Sequence, residues 1–312
     1  LGKGADDVAR HVRATLDEER IGFGFGALAA GADILIAEAL LERGAELHLI
    51  LPATREAFRE ASVARTAAEW AERFDRVIAR ADTVRSLGPT EGPLHPLGVR
   101  LAAEVAMGQA AMHAQTLASE AVQLLIMDRA EPAPREDGIS GWIRATWAMS
   151  GRRQHVVVSP RVRAAAPAIA SGEGDATLLA AMLAIEATDD EADLAGRVQR
   201  RIDELLPRLA RAMAAGPATL FAPRWSAQVL LAAYAGPPEA AAAALALAGA
   251  LKPFGVRIGG HYGLVRCAAD PFAGPPLLLG KAAATPLEVL ASVPPDAIHV
   301  TEDFAAALHA GA

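Results

Sequence analysis

Short apolar runs separated by helix-length segments limit how this chain can fold more than any other feature. Glu46–Leu51, Ala121–Met127 and Gln154–Val158 each have the length of a buried strand. The stretches between such runs are too long for hairpin turns, so the strands must run parallel and be joined by crossover helices. Arg20–Gly24 reads as a further strand entering a glycine-rich turn, and Thr83–Leu87 as another. Helices are expected over Ala32–Arg43, with Gly44 as its C-terminal stop, and over Thr54–Ala61, Ala67–Ala81, Leu97–Ala118 and Ile139–Met149. Gly88–Pro96 and Arg129–Asp137 read as loops. The first half is therefore predicted to be an α/β, doubly wound parallel-sheet, Rossmann-like domain.

The rhythm changes after Pro160. Pro160–Asp175 is rich in Ala, Pro and Gly and reads as a linker. Beyond it, Thr177–Ile185 is an apolar strand, Ala192–Ala215 a long helix and Pro238–Leu251 another helix. Thr219–Ala222 and Ala227–Tyr234 are predicted to form a hairpin around Pro223–Ser226. Val256–Cys267 is predicted to be two strands turning at Tyr262–Gly263. Ala297–Thr301 reads as a last strand and Asp303–His309 as a closing helix. This βαββαββ order belongs to an α+β ferredoxin-like domain. The expected division is residues 1–160, a linker over 161–175, and residues 176–312.

Composition excludes several classes. The 312 residues carry a net charge of −7, which argues against a broad nucleic-acid-binding face. One cysteine, Cys267, rules out an internal disulfide and fits a reducing, cytoplasmic setting; it reads as a small buried hydrophobe. No charge-free run of about 18 apolar residues points to a membrane span. No signal peptide is evident. The sequence opens at Leu1 without a methionine, so a strand is expected to precede it.

The sharpest local pattern is Gly24-Phe-Gly-Ala-Leu-Ala-Ala-Gly-Ala-Asp33, with Glu38 further along the following helix. Glycines allow close backbone approach to a ligand, and a helix starting near Ala32 would aim its free N–H groups at an anion. A tight turn that merely packs a helix on a sheet is the alternative, because the spacing is not the GxGxxG fingerprint. The run from Gly26 to Pro52, with Asp137-Gly-Ile-Ser-Gly-Trp142 and the segment through Gly151, resembles the SLOG superfamily, which includes the DNA-processing protein A and lysine-decarboxylase-like domains. That resemblance implies one pocket, flanked by two glycine-rich loops, holding a nucleotide-derived ligand. Its contacts would come from Gly26, Ala27, Gly31, Asp33, Ser140 and Gly141. The family's hydrolytic members carry a Pro-Gly-Gly-x-Gly-Thr loop, where this chain has Gly138-Ile-Ser-Gly141. The domain therefore reads as a binder, Glu38 as a salt-bridge carboxylate with a catalytic acid or base as the alternative, and Trp142 and Trp147 as packing residues.

Val256-Arg-Ile-Gly-Gly-His-Tyr-Gly-Leu-Val265, together with Leu278–Gly280 and Pro294–Glu302, resembles the class III nucleotidyl cyclases. Cyclase chemistry needs two divalent cations held by two carboxylates. By that resemblance Glu186 falls at the first carboxylate position, with Asp189 and Asp190 close behind, and Ala227 falls at the second. No Asp or Glu lies between Glu204 and Glu239, so no shift of alignment restores the second ligand. The family's late Asn and Arg map to about Ala284 and Thr285, near Lys281. No metal site is expected, and His261 and His299 read as hydrogen-bonded strand histidines.

These readings describe a regulatory or sensor protein that binds a nucleotide-like small molecule. Its cyclase-like domain would be a pseudoenzyme kept for dimerisation or nucleotide binding. The resemblance implies a homodimer, or a heterodimer with an intact cyclase. An active adenylate or guanylate cyclase using Mg²⁺ is the alternative, and a nucleotide hydrolase working through the N-terminal domain is a further one. No nucleic-acid or membrane partner is expected.

Overall fold

No element is expected before Arg20 from the sequence, yet Lys3–Glu18 forms helix α1 in the computed structural model. Val8, Val12 and Leu16 recur at four-residue spacing and are 6%, 0% and 4% exposed, so one apolar stripe fixes the helix. Arg20, with φ of 52°, follows as the chain turns out of it. The structure describes residues 3–64, 66, 68–88, 94–127, 138–159, 177–188, 194–271, 274 and 276–311. The chain divides into two compact units, Leu1–Glu173 with His309–Ala312, and Gly174–Leu308. The expected linker over 161–175, the acidic pair Asp189 and Asp190, and the loop 129–137 lie outside the described residues.

In the first unit β1 (Phe23–Gly26), β2 (Glu46–Leu51) and β3 (Thr83–Ser86) form a parallel ladder in chain order. The first strand thus starts three residues later than expected from Arg20, because the turn at Arg20 ends α1 first. Helix α2 (Ala32–Glu42) crosses between β1 and β2 and buries Ile34, Ala37, Leu40 and Leu41. Gly31 precedes it at φ 96° and ψ −114°, a conformation open to glycine and costly for other residues. Gly44 follows its end at φ 76°. Helices α3 (Arg55–Arg59) and α4 (Ala68–Ile78) are joined through a π-turn over Glu60–Ala64. Helix α5 (Pro96–Thr116) begins with proline in its first turn. Strands β4 (Gln123–Met127) and β5 (Gln154–Val158) pair in parallel, with α6 (Ile139–Met149) between them in sequence. The unit is α/β with parallel strands, as expected. Among the described residues its strands form two ladders rather than one continuous sheet.

The second unit starts with β6 (Thr177–Ala187). The expected long helix is α7 (Leu194–Arg200), a π-turn over Arg201–Leu205, and α8 (Leu206–Ala215), which carries Pro207 in its first turn. Strands β7 (Arg224–Ser226) and β8 (Val229–Tyr234) form the hairpin. Its turn is Ala227–Gln228, with Ala227 at φ 53°, not the expected Pro223–Ser226. Helix α9 (Pro237–Leu251) leads to β9 (Val256–Ala268), then β10 (Leu277–Leu279), α10 (Lys281–Leu290), β11 (Ile298–Val300) and α11 (Glu302–Ala310).

The sheet order is β10-β9-β6-β8-β7. Four of its strands, β9-β6-β8-β7, are antiparallel throughout and follow βαββαβ connectivity, which is the ferredoxin-like arrangement. β6 occupies one edge of β9 along its length, so β10 and β11 share the other edge, β10 at Arg266–Ala268 and β11 at Ile258–Gly260. Leu178, Ala180 and Met182 of β6 pack with Ala282 and Ala283 of α10, while α9 packs on the sheet as well. Helices on both faces explain why the β6 run is apolar without alternation.

The segment expected to turn at Tyr262–Gly263 is one 13-residue strand. Its glycines serve packing instead of a turn. A Cβ on Gly259 would lie 2.5 Å from the Pro286 carbonyl oxygen and 2.7 Å from the Leu290 nitrogen, so the missing side chain lets α10 lie directly on the strand.

Candidate functional site

A cavity of about 570 Å³ opens in the first unit, within the range of small-molecule sites. Its walls come from β1, β2, α2, α5, β4 and α6. Gly26, Ala27, Asp33 and Ser140 line it, so the two glycine-rich segments do meet across one space. Gly31 and Gly141 are not among the lining residues. Gly31 shapes the turn before α2 instead.

Asp33 sits in the first turn of α2 and its Oδ2 accepts the Ala29 N–H at 3.0 Å. The Ala30 N–H is taken by the Ser62 carbonyl at 3.3 Å. Burial raises the Asp33 carboxyl above the ordinary aspartate pKa, and the Ala29 N–H opposes that shift. An acid with a raised folded-state pKa makes the native state hold more protons than the unfolded chain. The Asp33 contribution to stability is then greatest below the ordinary value of about 3.9 and falls as pH rises through the raised one. Asp33→Asn keeps an acceptor for Ala29 and removes the charge. In urea denaturation across that pH range, the stability of wild type relative to the variant should fall as pH rises.

Trp147 lines the cavity with 1% exposure, and its Nε1 donates to the Arg153 carbonyl at 2.8 Å. Trp142 lies under the Arg100 guanidinium, 4.6 Å from its ring centroid. Trp142 is thus engaged by Arg100, while the Trp147 ring forms part of the cavity wall. Glu38 does not line the cavity. It holds Arg73 of α4, whose Nε donates to Oε1 at 2.9 Å and whose Nη2 binds Oε2. Arg73 in turn stacks 4.3 Å from the Trp70 ring centroid. This ion pair spans 35 residues of sequence and ties α2 to α4. Helix periodicity alone does not reveal such a partner.

In the second unit Glu186 stands near the end of β6, directly across from Arg257 in the antiparallel register. Arg257 donates Nε and Nη2 to the same oxygen, Oε2, at 2.6 Å each. The pair is half-buried, with side-chain exposures of 29% and 20%. The carboxylate at the presumptive cation position already has an internal counter-ion. Ala227, at the hairpin turn, lines a hollow of about 240 Å³ with Ile185, Leu205, Leu209 and Leu230. Ala284 and Thr285 lie on α10, where the Thr285 hydroxyl donates to the Lys281 carbonyl at 3.0 Å. Among the described residues no group of three or more His, Cys, Asp or Glu is placed to hold a metal ion.

The described residues therefore do not fit a divalent cation. A cation at Glu186 would have to displace a charge-assisted guanidinium pair and would find no second carboxylate among the described residues. Arg257 lies inside the segment that resembles the cyclases, but only strand register discloses that it faces Glu186. His261 bonds the Thr301 hydroxyl through Nδ1 at 2.9 Å, as a structural histidine does. His299 is exposed on the short strand β11, contrary to that expectation, because β11 adds a strand edge rather than a core position. Cys267 is half-buried, and burial pushes its thiol pKa up.

The two units are thus a parallel α/β fold enclosing a cavity and a ferredoxin-like α+β fold in which no cation-binding cluster occurs among the described residues. No protein-family model matches the chain, and no curated protein matches it. Among solved structures the chain is similar to the monomeric guanylyl cyclase domain of the RhoGC fusion protein from the aquatic fungus Blastocladiella emersonii, at 13% identity over 41% of this chain and 82% of that one, with a TM-score of 0.33. It is also similar to the adenylyl cyclase CyaB from P. aeruginosa, at 8% identity over 42% and 81%, with a TM-score of 0.36. The guanylyl cyclase Cya2 matches at 11% identity over 45% and 81%, with a TM-score of 0.38. Likeness at this level adds nothing to what the strand order of the second unit establishes. Among the described residues no helix is long and apolar enough to cross a membrane.

Proposed function

We propose that this chain is a regulatory or sensor protein. The first unit binds a small molecule in its cavity. The second is a cyclase-like domain that has lost catalysis and serves in dimerisation, with itself or with an intact cyclase. The observation that carries this reading is the Glu186–Arg257 pair across β6 and β9, together with Ala227 at the hairpin turn. A two-cation mechanism needs uncompensated negative charge at both places. Here one carboxylate is neutralised and the other is absent. The hydrolase alternative is disfavoured because Glu38 is engaged by Arg73 and lies off the cavity wall.

The test is incubation of the full chain with ATP or GTP and either Mg²⁺ or Mn²⁺, followed by chromatographic detection of cyclic product. Wild type and Glu186→Ala are expected to match the protein-free blank. Cyclic product that disappears in Glu186→Ala would return the chain to the active cyclases.

A further inference from the structure

The cavity of the first unit has an unusual charge balance. Among the described residues that line it there is no Lys, Arg or His, and Asp33 is the one charged type. A phosphate inside would meet a carboxyl and find no counter-charge among the described residues. The N-terminal turn of α2, which could otherwise attract an anion, already carries a carboxyl of its own in Asp33. The polar side chains are few. Gln123 is engaged, its Oε1 accepting from Gln154 Nε2 at 2.6 Å and its Nε2 donating to the Met107 sulfur at 3.5 Å. Ser62 and Ser140 add two hydroxyl-bearing side chains, and the rest of the wall is Ala, Leu, Ile, Val, Met and Phe, with Gly26, Pro52 and the Trp147 ring.

One more feature defines the chemistry. A strand that borders a space with one face contributes alternate residues. β4 contributes Gln123 through Met127 without a break. It therefore presents an edge to the cavity. Its other edge is taken by β5, in register from Gln123↔Gln154 to Met127↔Val158. Edge backbone offers alternating N–H donors and C=O acceptors in an apolar setting, where a hydrogen bond left unmade is costly.

We infer that this cavity takes an uncharged, mostly apolar small molecule with amide-type hydrogen-bonding groups along one side, and that it excludes phosphorylated nucleotides. A nucleoside meets the charge condition, though its sugar hydroxyls would have to find partners, and the nucleotide does not meet it. The inference rests on the reading of the first unit as a binder.

Two dyes that differ by one sulfonate test it on the full chain: neutral N-phenyl-1-naphthylamine and anionic 8-anilinonaphthalene-1-sulfonate, alongside adenosine and ATP followed by thermal shift. The neutral dye should bind saturably at one per chain and at least about tenfold more tightly than its sulfonated partner, since an unpaired buried anion is strongly disfavoured. Ala103→Phe places a ring from α5 into the cavity and should abolish that binding; Ala110→Phe does the same from about two turns further along the helix and serves if the first variant does not fold. Asp33→Asn should narrow the gap between the two dyes. Equal or tighter binding of the sulfonated dye or of ATP, lost in Ala103→Phe, would overturn the ligand class while leaving the binder reading intact. Binding of the neutral dye that survives both fillings would overturn the site. No cavity-dependent binding by any of the four probes would overturn the binder reading as well.

Discussion

Glu38→Ala should cost the first unit about 3 kcal/mol of unfolding free energy. The substitution leaves the Arg73 guanidinium, 11% exposed, facing the vacated side of α2. Removing one partner of a buried pair costs roughly 3–5 kcal/mol, because the survivor keeps its charge and loses its compensation. The lower end applies because Glu38 itself is 27% exposed and water can partly follow the change. Arg73 Nη1 is already buried without a hydrogen-bond partner, so it has no reserve contact to fall back on. Denaturant unfolding checks the size of the loss. The double substitution Glu38→Leu with Arg73→Leu should recover most of it, since an apolar pair of similar volume removes both the charge and its desolvation cost. A catalytic carboxylate would behave differently, abolishing activity with little change in stability.

Much of the first unit is legible in the sequence, and the reason is local. β2, β5 and α6 match their expected bounds because each is a self-contained run of one periodicity with a clear stop. Helix α1 is equally periodic, but its one glycine, Gly4, lies at its start and no glycine or proline marks its end before the turn at Arg20. What the sequence could not supply is pairing across distance. Arg73 finds Glu38, and Arg257 finds Glu186, only after helices and strands have been placed. The same limit explains β9. Its glycines look like turn residues when read alone, and become packing residues once α10 is laid against them.

That contact gives the second large effect. Gly259→Ala should destabilise the protein by about 3 kcal/mol, at the upper end of overpacking costs. The added methyl would meet the Pro286 oxygen at 2.5 Å, the Leu290 nitrogen at 2.7 Å and the Leu290 Cα at 3.0 Å. All three are backbone atoms, so no rotamer change relieves the clash and α10 must move as a body. Gly249→Ala provides the opposite sign. It lies within α9 with nothing within 4 Å of its added Cβ, and should gain about 0.5–1 kcal/mol through helix propensity alone. Thermal denaturation of the two variants should move Tm in opposite directions. A stable Gly259→Ala would mean that α10 does not press on β9 at this point.

The proposal that the second unit lacks a cation grip is best tested by titrating Mn²⁺ into the full chain and following the free-ion spectrum by electron paramagnetic resonance. With Glu186 held by Arg257 and alanine at the hairpin turn, the free signal should rise as it does in buffer, for wild type and for Glu186→Ala alike. One or two ions taken up stoichiometrically by the wild type, and released when Glu186 is replaced, would contradict the account.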